Sequence, residues 1–140
     1  MFINVSDLEP LAYCIAIRDL LDFERFQKGF GDVIILRYKL SEVEREIKKY
    51  KNEILKNNPE FLKNLKMIII GLLDKLYGII EKYSSIDYSK VKEVQSSIKK
   101  IIKKINSSDL QDLKFVYEDF MREIFLKVYN LFNESLKKRI

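Results

Sequence analysis

The sequence predicts an all-α protein, a single-domain antiparallel bundle of about five helices that spans residues 1–140. Glycine and proline are scarce, with four and two residues in a chain of 140, which leaves few places for the chain to turn. Apolar residues recur at helical spacing through long segments, and capping residues stand between these segments. With 47% apolar and 34% charged residues, the composition is that of a globular chain rather than a disordered one.

Four short segments mark the predicted helix boundaries: KGFGD (28–32), KNNPE (56–60), SSIDYS (84–89) and NSSD (106–109). The capping signals in or near them are Asp32, Pro59, Asp87 and the capping-box pairs Ser6–Glu9 and Ser108–Gln111. The boundaries predict helices over 7–28, 32–57, 59–84, 88–106 and 109–138.

The segment DVIILRYKL, 32–40, has two interpretations. Its β-branched and aromatic residues resemble a buried strand. The wider pattern favours a helix, since apolar residues continue in steps of three and four as far as Ile54. They are Val33, Leu36, Leu40, Val43, Ile47, Tyr50 and Ile54.

The predicted helix 59–84 carries two apolar sets, which indicates a central helix touched from two sides. The first set is Leu62, Leu65, Ile69, Leu72, Leu76, Ile79 and Tyr83, and the second is Phe61, Ile68, Leu73, Tyr77 and Ile80. The last predicted helix is also broadly apolar and rich in aromatic residues.

The predicted helix 88–106 holds the main candidate site. Its segment SKVKEVQSSIKKIIKKI places six lysines in seventeen residues. On a helix its valines and isoleucines gather in one arc, and the lysines fall opposite. The predicted nucleic-acid-binding residues are Lys90, Lys92, Lys99, Lys100, Lys103 and Lys104. The net charge of +5 is concentrated here, because residues 85–106 hold six bases against two acids.

The lysine-rich face has a structural and a functional interpretation. An amphipathic helix with isoleucine inside must place polar residues outside, so in the structural interpretation the face is only solvated. Alternatively, lysines four residues apart recur about every 6 Å, close to the spacing of phosphates in an extended strand. No aromatic residues are interleaved for base stacking, which weakens the functional interpretation. Acidic protein or lipid partners remain further alternatives.

The sequence lacks histidine, the residue on which many enzyme mechanisms depend. Its absence excludes His-based acid–base catalysis and His metal sites. The lone Cys14, in LAYCIAI, permits no internal disulfide and is expected to be a buried structural residue. Two pairs of carboxylates stand at helical spacing, Asp19–Asp22 and Asp119–Glu123. We expect Asp119 and Glu123 to form ordinary surface ion pairs, with Arg122 and Lys127 respectively. We expect no enzyme activity, no cofactor and no metal.

Seventeen Phe and Tyr residues are many for a helical bundle. Core packing is the simplest explanation, but aromatic residues on several sides of a helix can also mark an interface. A protein partner or a homo-oligomer is therefore expected. The crowded positions are Phe23, Phe26 and Phe30 after the first helix, and Phe115, Phe120, Phe125, Tyr129 and Phe132 on the last.

We expect a cytoplasmic protein. The N-terminus MFINVSDLEP lacks a signal layout, and the longest apolar run, within 67–73, is far shorter than the ~20 residues that span a bilayer. In size, charge and helical character the chain resembles small subunits of nucleoprotein assemblies, including those of CRISPR effector complexes, and helical coat proteins of archaeal viruses. The resemblance to the small subunits implies a non-enzymatic module that contacts a nucleic-acid backbone. The alternative is a structural, homo-oligomeric or virion-associated protein that binds no nucleic acid.

Overall fold

A computed structural model describes residues 5–22, 61–109 and 111–138, and every element in these ranges is helical. The all-α prediction is therefore confirmed for this part of the chain. The elements are α1 (Val5–Leu21), α2 (Phe61–Ile79), a 3₁₀ turn (Ile80–Tyr83), α3 (Ser84–Asn106), α4 (Leu113–Phe120), a π-helical turn (Met121–Phe125) and α5 (Leu126–Lys138). The last three follow one another without a break, and we call them together the C-terminal helix (113–138).

α1 is the most deeply buried helix of the described ranges. All eight residues from Pro10 to Ile17 are buried, and Asp19 is fully inaccessible. The backbone N–H of Asp22 donates to the carbonyl of Arg18, 3.1 Å away, and Asp22 itself lies in a bend. The helix thus ends at Leu21, whereas the predicted segment continued past it to residue 28.

α2, α3 and the C-terminal helix run antiparallel in series. Residues near the start of α2 meet the end of α3, since Lys66 reaches Asn106, while Tyr77 farther along α2 meets Gln95 earlier in α3. In the same way, the end of α3 lies beside the start of the C-terminal helix. This order confirms the up-and-down connection that short links predict for these three helices.

The helices close around one apolar core. α2 and the C-terminal helix each pack against both α1 and α3, which therefore occupy opposite corners. The predicted two-sided packing of α2 is confirmed by these contacts. Fully buried core side chains such as Leu65, Leu76 and Phe120 each contribute roughly 1.5–3 kcal/mol by leaving water.

The π-helical turn explains the spacing of the buried residues in the C-terminal helix. These residues are Leu113, Val116, Phe120, Ile124, Val128, Leu131, Phe132 and Ser135. Three successive steps of four residues, from Val116 to Val128, would drift around an ideal α-helix. The N–H of Leu126 donates to the carbonyl of Met121, five residues back, so the wider turn keeps these side chains on the core side.

One predicted cap is confirmed and another is wrong. Asp87 has extended backbone angles within α3 (φ −155°, ψ 91°), and its Oδ1 accepts the N–H of Lys90 at 3.0 Å, so it caps the lysine-bearing segment as expected. Ser108 and Gln111 do not form the predicted capping box. Instead, Asp109 Oδ1 accepts the N–H of Asp112 at 2.9 Å, because the Ser108 hydroxyl donates back to a carbonyl of α3.

Several predictions fall outside the described residues. They include the helix over 32–57 and the KGFGD and KNNPE boundaries. The count of five helices therefore stays a prediction. Ser6 and Glu9 both lie within α1, so Ser6 is not the N-cap that the predicted capping box requires. Within the described ranges, no helix combines the length and the apolar character needed to cross a bilayer.

Candidate nucleic-acid interface on α3

The apolar arc predicted for α3 is confirmed. Val91, Val94, Ile98, Ile101 and Ile105 are fully inaccessible. Gln95 is buried as well, at 3% exposure, which the sequence pattern did not indicate. Its Nε2 donates to the Tyr77 carbonyl at 3.0 Å and to Glu81 Oε1 at 2.9 Å, so a polar bond fixes α3 against the end of α2. The six candidate lysines lie around the remaining arc.

Two candidate lysines turn toward the C-terminal helix. Lys90 Nζ lies 3.3 Å from Glu134 Oε1, and Lys104 Nζ lies 2.7 Å from Asp119 Oδ2. The hydrogen bond from Lys104, together with its charge and that of Arg122, holds the pKa of Asp119 below its ordinary value. Both lysines occupy the edge of α3 nearest this helix, and their charges are offset within the molecule.

Lys92 occupies the opposite edge, beside α2. Its Nζ lies 3.2 Å from Glu81 Oε1 and 3.2 Å from Gln95 Oε1. Hydrogen bonds from Gln95, Ser84 and Lys92 lower the pKa of Glu81, and the bond to Glu81 raises the pKa of Lys92. Three of the six candidate lysines are therefore paired with acids of the same chain.

The other three candidate lysines, Lys99, Lys100 and Lys103, have no carboxylate of the described residues within ion-pair distance, and all are exposed. At about 100° per residue they lie within about 100° of one another, across the solvent side of α3. We call these residues the lysine triad. It concentrates three positive charges on one and a half turns of helix.

Aromatic rings lie beside the lysines, contrary to the sequence expectation. Lys99 Nζ stands 5.4 Å from the ring centroid of Tyr77 on α2, and Lys92 Nζ stands 5.1 Å from that of Tyr88. Both distances permit cation–π attraction. Tyr88 is 62% exposed, whereas Tyr83 is buried at the junction between α2 and α3. Tyr77 was not a predicted site residue, since the packing of α2 on α3 is a long-range contact.

A fourth basic residue joins this surface from α2. Lys66 Nζ lies 3.5 Å from the carbonyl of Asn106, at the end of α3, one turn beyond Lys103. The sequence distance of forty residues hides this neighbour. The partial negative charge of a helix C-terminus favours an ammonium group at this position. The candidate interface therefore comprises the lysine triad, Lys66 and the rings of Tyr77 and Tyr88.

The weaker candidates have structural roles. Cys14 is fully buried, as expected, and burial raises the pKa of its thiol, so a reactive thiolate is disfavoured. Asp19 is buried and lies 3.1 Å from Arg18 Nε. In the described ranges, no group of three or more cysteine or carboxylate side chains is placed to hold a metal ion.

Of the two predicted surface pairs, one is confirmed. Arg122 donates to Asp119 at 2.7 Å. The predicted Glu123–Lys127 pair is wrong, because Lys127 Nζ instead lies 3.3 Å from Glu93 of α3. Lys127 thus pairs with a residue of α3 instead of the neighbouring Glu123. This is the third ion pair between the C-terminal helix and α3, after Lys90–Glu134 and Lys104–Asp119.

The C-terminal helix also exposes apolar side chains where core packing was expected. Phe120 and Phe132 are buried, but Phe115 is 70% exposed, Leu126 55% and Tyr129 44%. An apolar groove runs along this exposed side near the π-helical turn. The interface interpretation of the aromatic residues therefore fits Phe115 and Tyr129, and the core interpretation fits the other two.

Comparisons with protein-family models, curated proteins and solved structures find no match to this chain.

Proposed function

We propose that this protein is a non-enzymatic helical binding module that contacts the backbone of a nucleic acid through α3. In this proposal the five-helix antiparallel bundle is the scaffold of a small subunit in a larger nucleoprotein assembly, comparable to a CRISPR effector small subunit. The observation that carries it is the lysine triad, whose members lack an acidic partner among the described residues.

The charge pattern supports backbone contact without sequence reading. Lysine is a compact point charge that neutralises a phosphate, and three or four such contacts release a similar number of counterions. Lys99 and Lys103 stand one turn apart, and Lys66 extends the row beyond the end of α3. Such a surface binds weakly and loses affinity steeply as the salt concentration rises.

The tyrosines supply the second component of a single-strand surface. Base stacking on an aromatic ring is worth about 1–3 kcal/mol per base and tolerates any sequence. The exposed ring of Tyr88 is available for stacking, while Tyr77 is half-buried under Lys99. We therefore propose a preference for single strands over duplex.

The test replaces the lysine triad by glutamate, K99E/K100E/K103E, and measures binding to fluorescent single-stranded DNA and RNA by anisotropy at low salt. The matched control is K75E/K114E/K137E, which makes the same charge change at exposed lysines outside α3. We expect the first variant to lose binding and the control to retain most of it. Equal losses in both would reduce the effect to net charge and contradict the proposed interface.

The second candidate is a structural interaction protein, virion-associated or homo-oligomeric, that binds no nucleic acid. The exposed apolar side chains of the C-terminal helix favour it, because large exposed apolar patches commonly mark protein contacts. Sedimentation without nucleic acid tests this function directly. A mass that rises with protein concentration supports it, and indifference of the wild type to nucleic acid would favour it over the first candidate.

A further inference from the structure

We propose that the exposed side of the C-terminal helix pairs with the same helix of a second copy of this chain, antiparallel and across a two-fold axis near Met121. The proposal rests on the homo-oligomer of the second candidate function and names the surface that joins the two copies. It is independent of the lysine triad, which lies on α3.

The surface has the extent of a helix–helix seam. Its exposed apolar residues reach from Phe115 to Tyr129, about 21 Å along a helix at 1.5 Å per residue. The half-buried Met121 and Phe125 line the groove between them, beside Leu126. π-helical turns occur often at functional sites, and this one coincides with the middle of the groove.

The charges of the groove identify a second copy as the occupant. Glu118 and Arg122 both line it, one turn apart and opposite in sign. In an antiparallel helix dimer centred near Met121, Glu118 of one copy and Arg122 of the other differ by about 3 Å in axial position. The two-fold axis generates this Glu118–Arg122 contact twice. A parallel pair in register would instead place equal charges opposite each other.

The same axis also pairs the exposed rings. Phe115 and the Tyr129 of the second copy again differ by about 3 Å along the axis. Arg122 already donates to Asp119 and lies 3.8 Å from Glu123 Oε1 of its own chain, but a guanidinium has five N–H donors and can bind a further carboxylate. One geometry therefore satisfies the apolar and the charged residues together.

The test is sedimentation velocity of the full chain over a wide range of concentrations, without nucleic acid. We expect the wild type to move from the monomer mass toward twice that mass. F115D and L126D should remain monomeric. M67D, which alters an equally prominent apolar residue of α2 at 62% exposure, should dimerise like the wild type.

A charge-reversal cycle tests the orientation. E118R places two arginines together and should weaken the dimer at least tenfold, while E118R/R122E should recover it. Thermal unfolding checks that each variant is folded. A wild type that stays monomeric at every concentration, or a dimer indifferent to F115D and L126D, overturns the proposal. Neither result alters nucleic-acid binding by the lysine triad, so the two proposals fail separately.

Discussion

Lys104 Nζ lies 2.7 Å from Asp119 Oδ2, and this contact ties α3 to the C-terminal helix. Together with Lys90–Glu134 it assigns one edge of the lysine-rich face to internal ion pairs. The contact therefore separates structural lysines from those that are available to a ligand. It also explains why Lys104, a predicted nucleic-acid-binding residue, is left out of the charge-reversal test.

The Asp119 ion pair makes the free energy of unfolding depend on pH. The pKa of Asp119 is lower in the folded chain than its ordinary value, chiefly through the hydrogen bond from Lys104. Its stabilising contribution is therefore complete above the unfolded pKa, about 3.9, and is lost as the pH falls through the lower folded pKa. Urea unfolding from pH 6 to pH 2 measures this dependence.

The control for the pH prediction is D119N, which cannot titrate. We expect the wild type to lose more stability than D119N across the acid range, since only the wild type must protonate this group. If the free energies of unfolding of the two proteins changed with pH in parallel, the Asp119–Lys104 ion pair would not stabilise the fold.

Gln95 should be the most sensitive polar residue of α3. Replacing it by leucine leaves the Tyr77 carbonyl and Glu81 without their amide donor, and a lost buried hydrogen bond costs about 1–3 kcal/mol. We expect Q95L to lower the free energy of unfolding by an amount in this range. Denaturant unfolding at neutral pH measures it.

The neighbouring exposed Ser96 supplies the control for Gln95. An exposed substitution away from specific contacts usually changes stability by less than about 0.5 kcal/mol, so S96L should be nearly neutral. If Q95L were equally neutral, the bond between α2 and α3 would have no role in stability.

Local patterns predicted the faces of the helices, but not their neighbours. The buried arc of α3 follows from periodicity alone, since Val91 and Ile98 are seven residues, or about two helical turns, apart and therefore lie on the same face. The carboxylates outside α3 that pair with its lysines lie 11 to 44 residues away in the sequence, and helix register across that distance has no local signal. For this reason, the sequence identified six candidate lysines, while contacts between helices distinguish the lysine triad.

The C-terminal helix shows a second limit of sequence reasoning. Val116 and Val128 are both buried, although twelve residues at about 100° each would place them about 120° apart on an ideal α-helix. The π-helical turn displaces the phase of every later residue, so an ideal helical wheel assigns faces poorly beyond it. Steps of four between Val116, Phe120 and Ile124 were the available signal for that turn.

The most direct test of the central claim is the salt dependence of single-strand binding by the unaltered chain. Three or four phosphate contacts by the lysine triad and Lys66 predict that log K falls against log salt with a slope of about −2 to −3. Anisotropy titrations of an oligonucleotide at several salt concentrations give this slope. An absence of binding at the lowest salt, or an affinity that salt does not change, would contradict the claim that α3 contacts a nucleic-acid backbone.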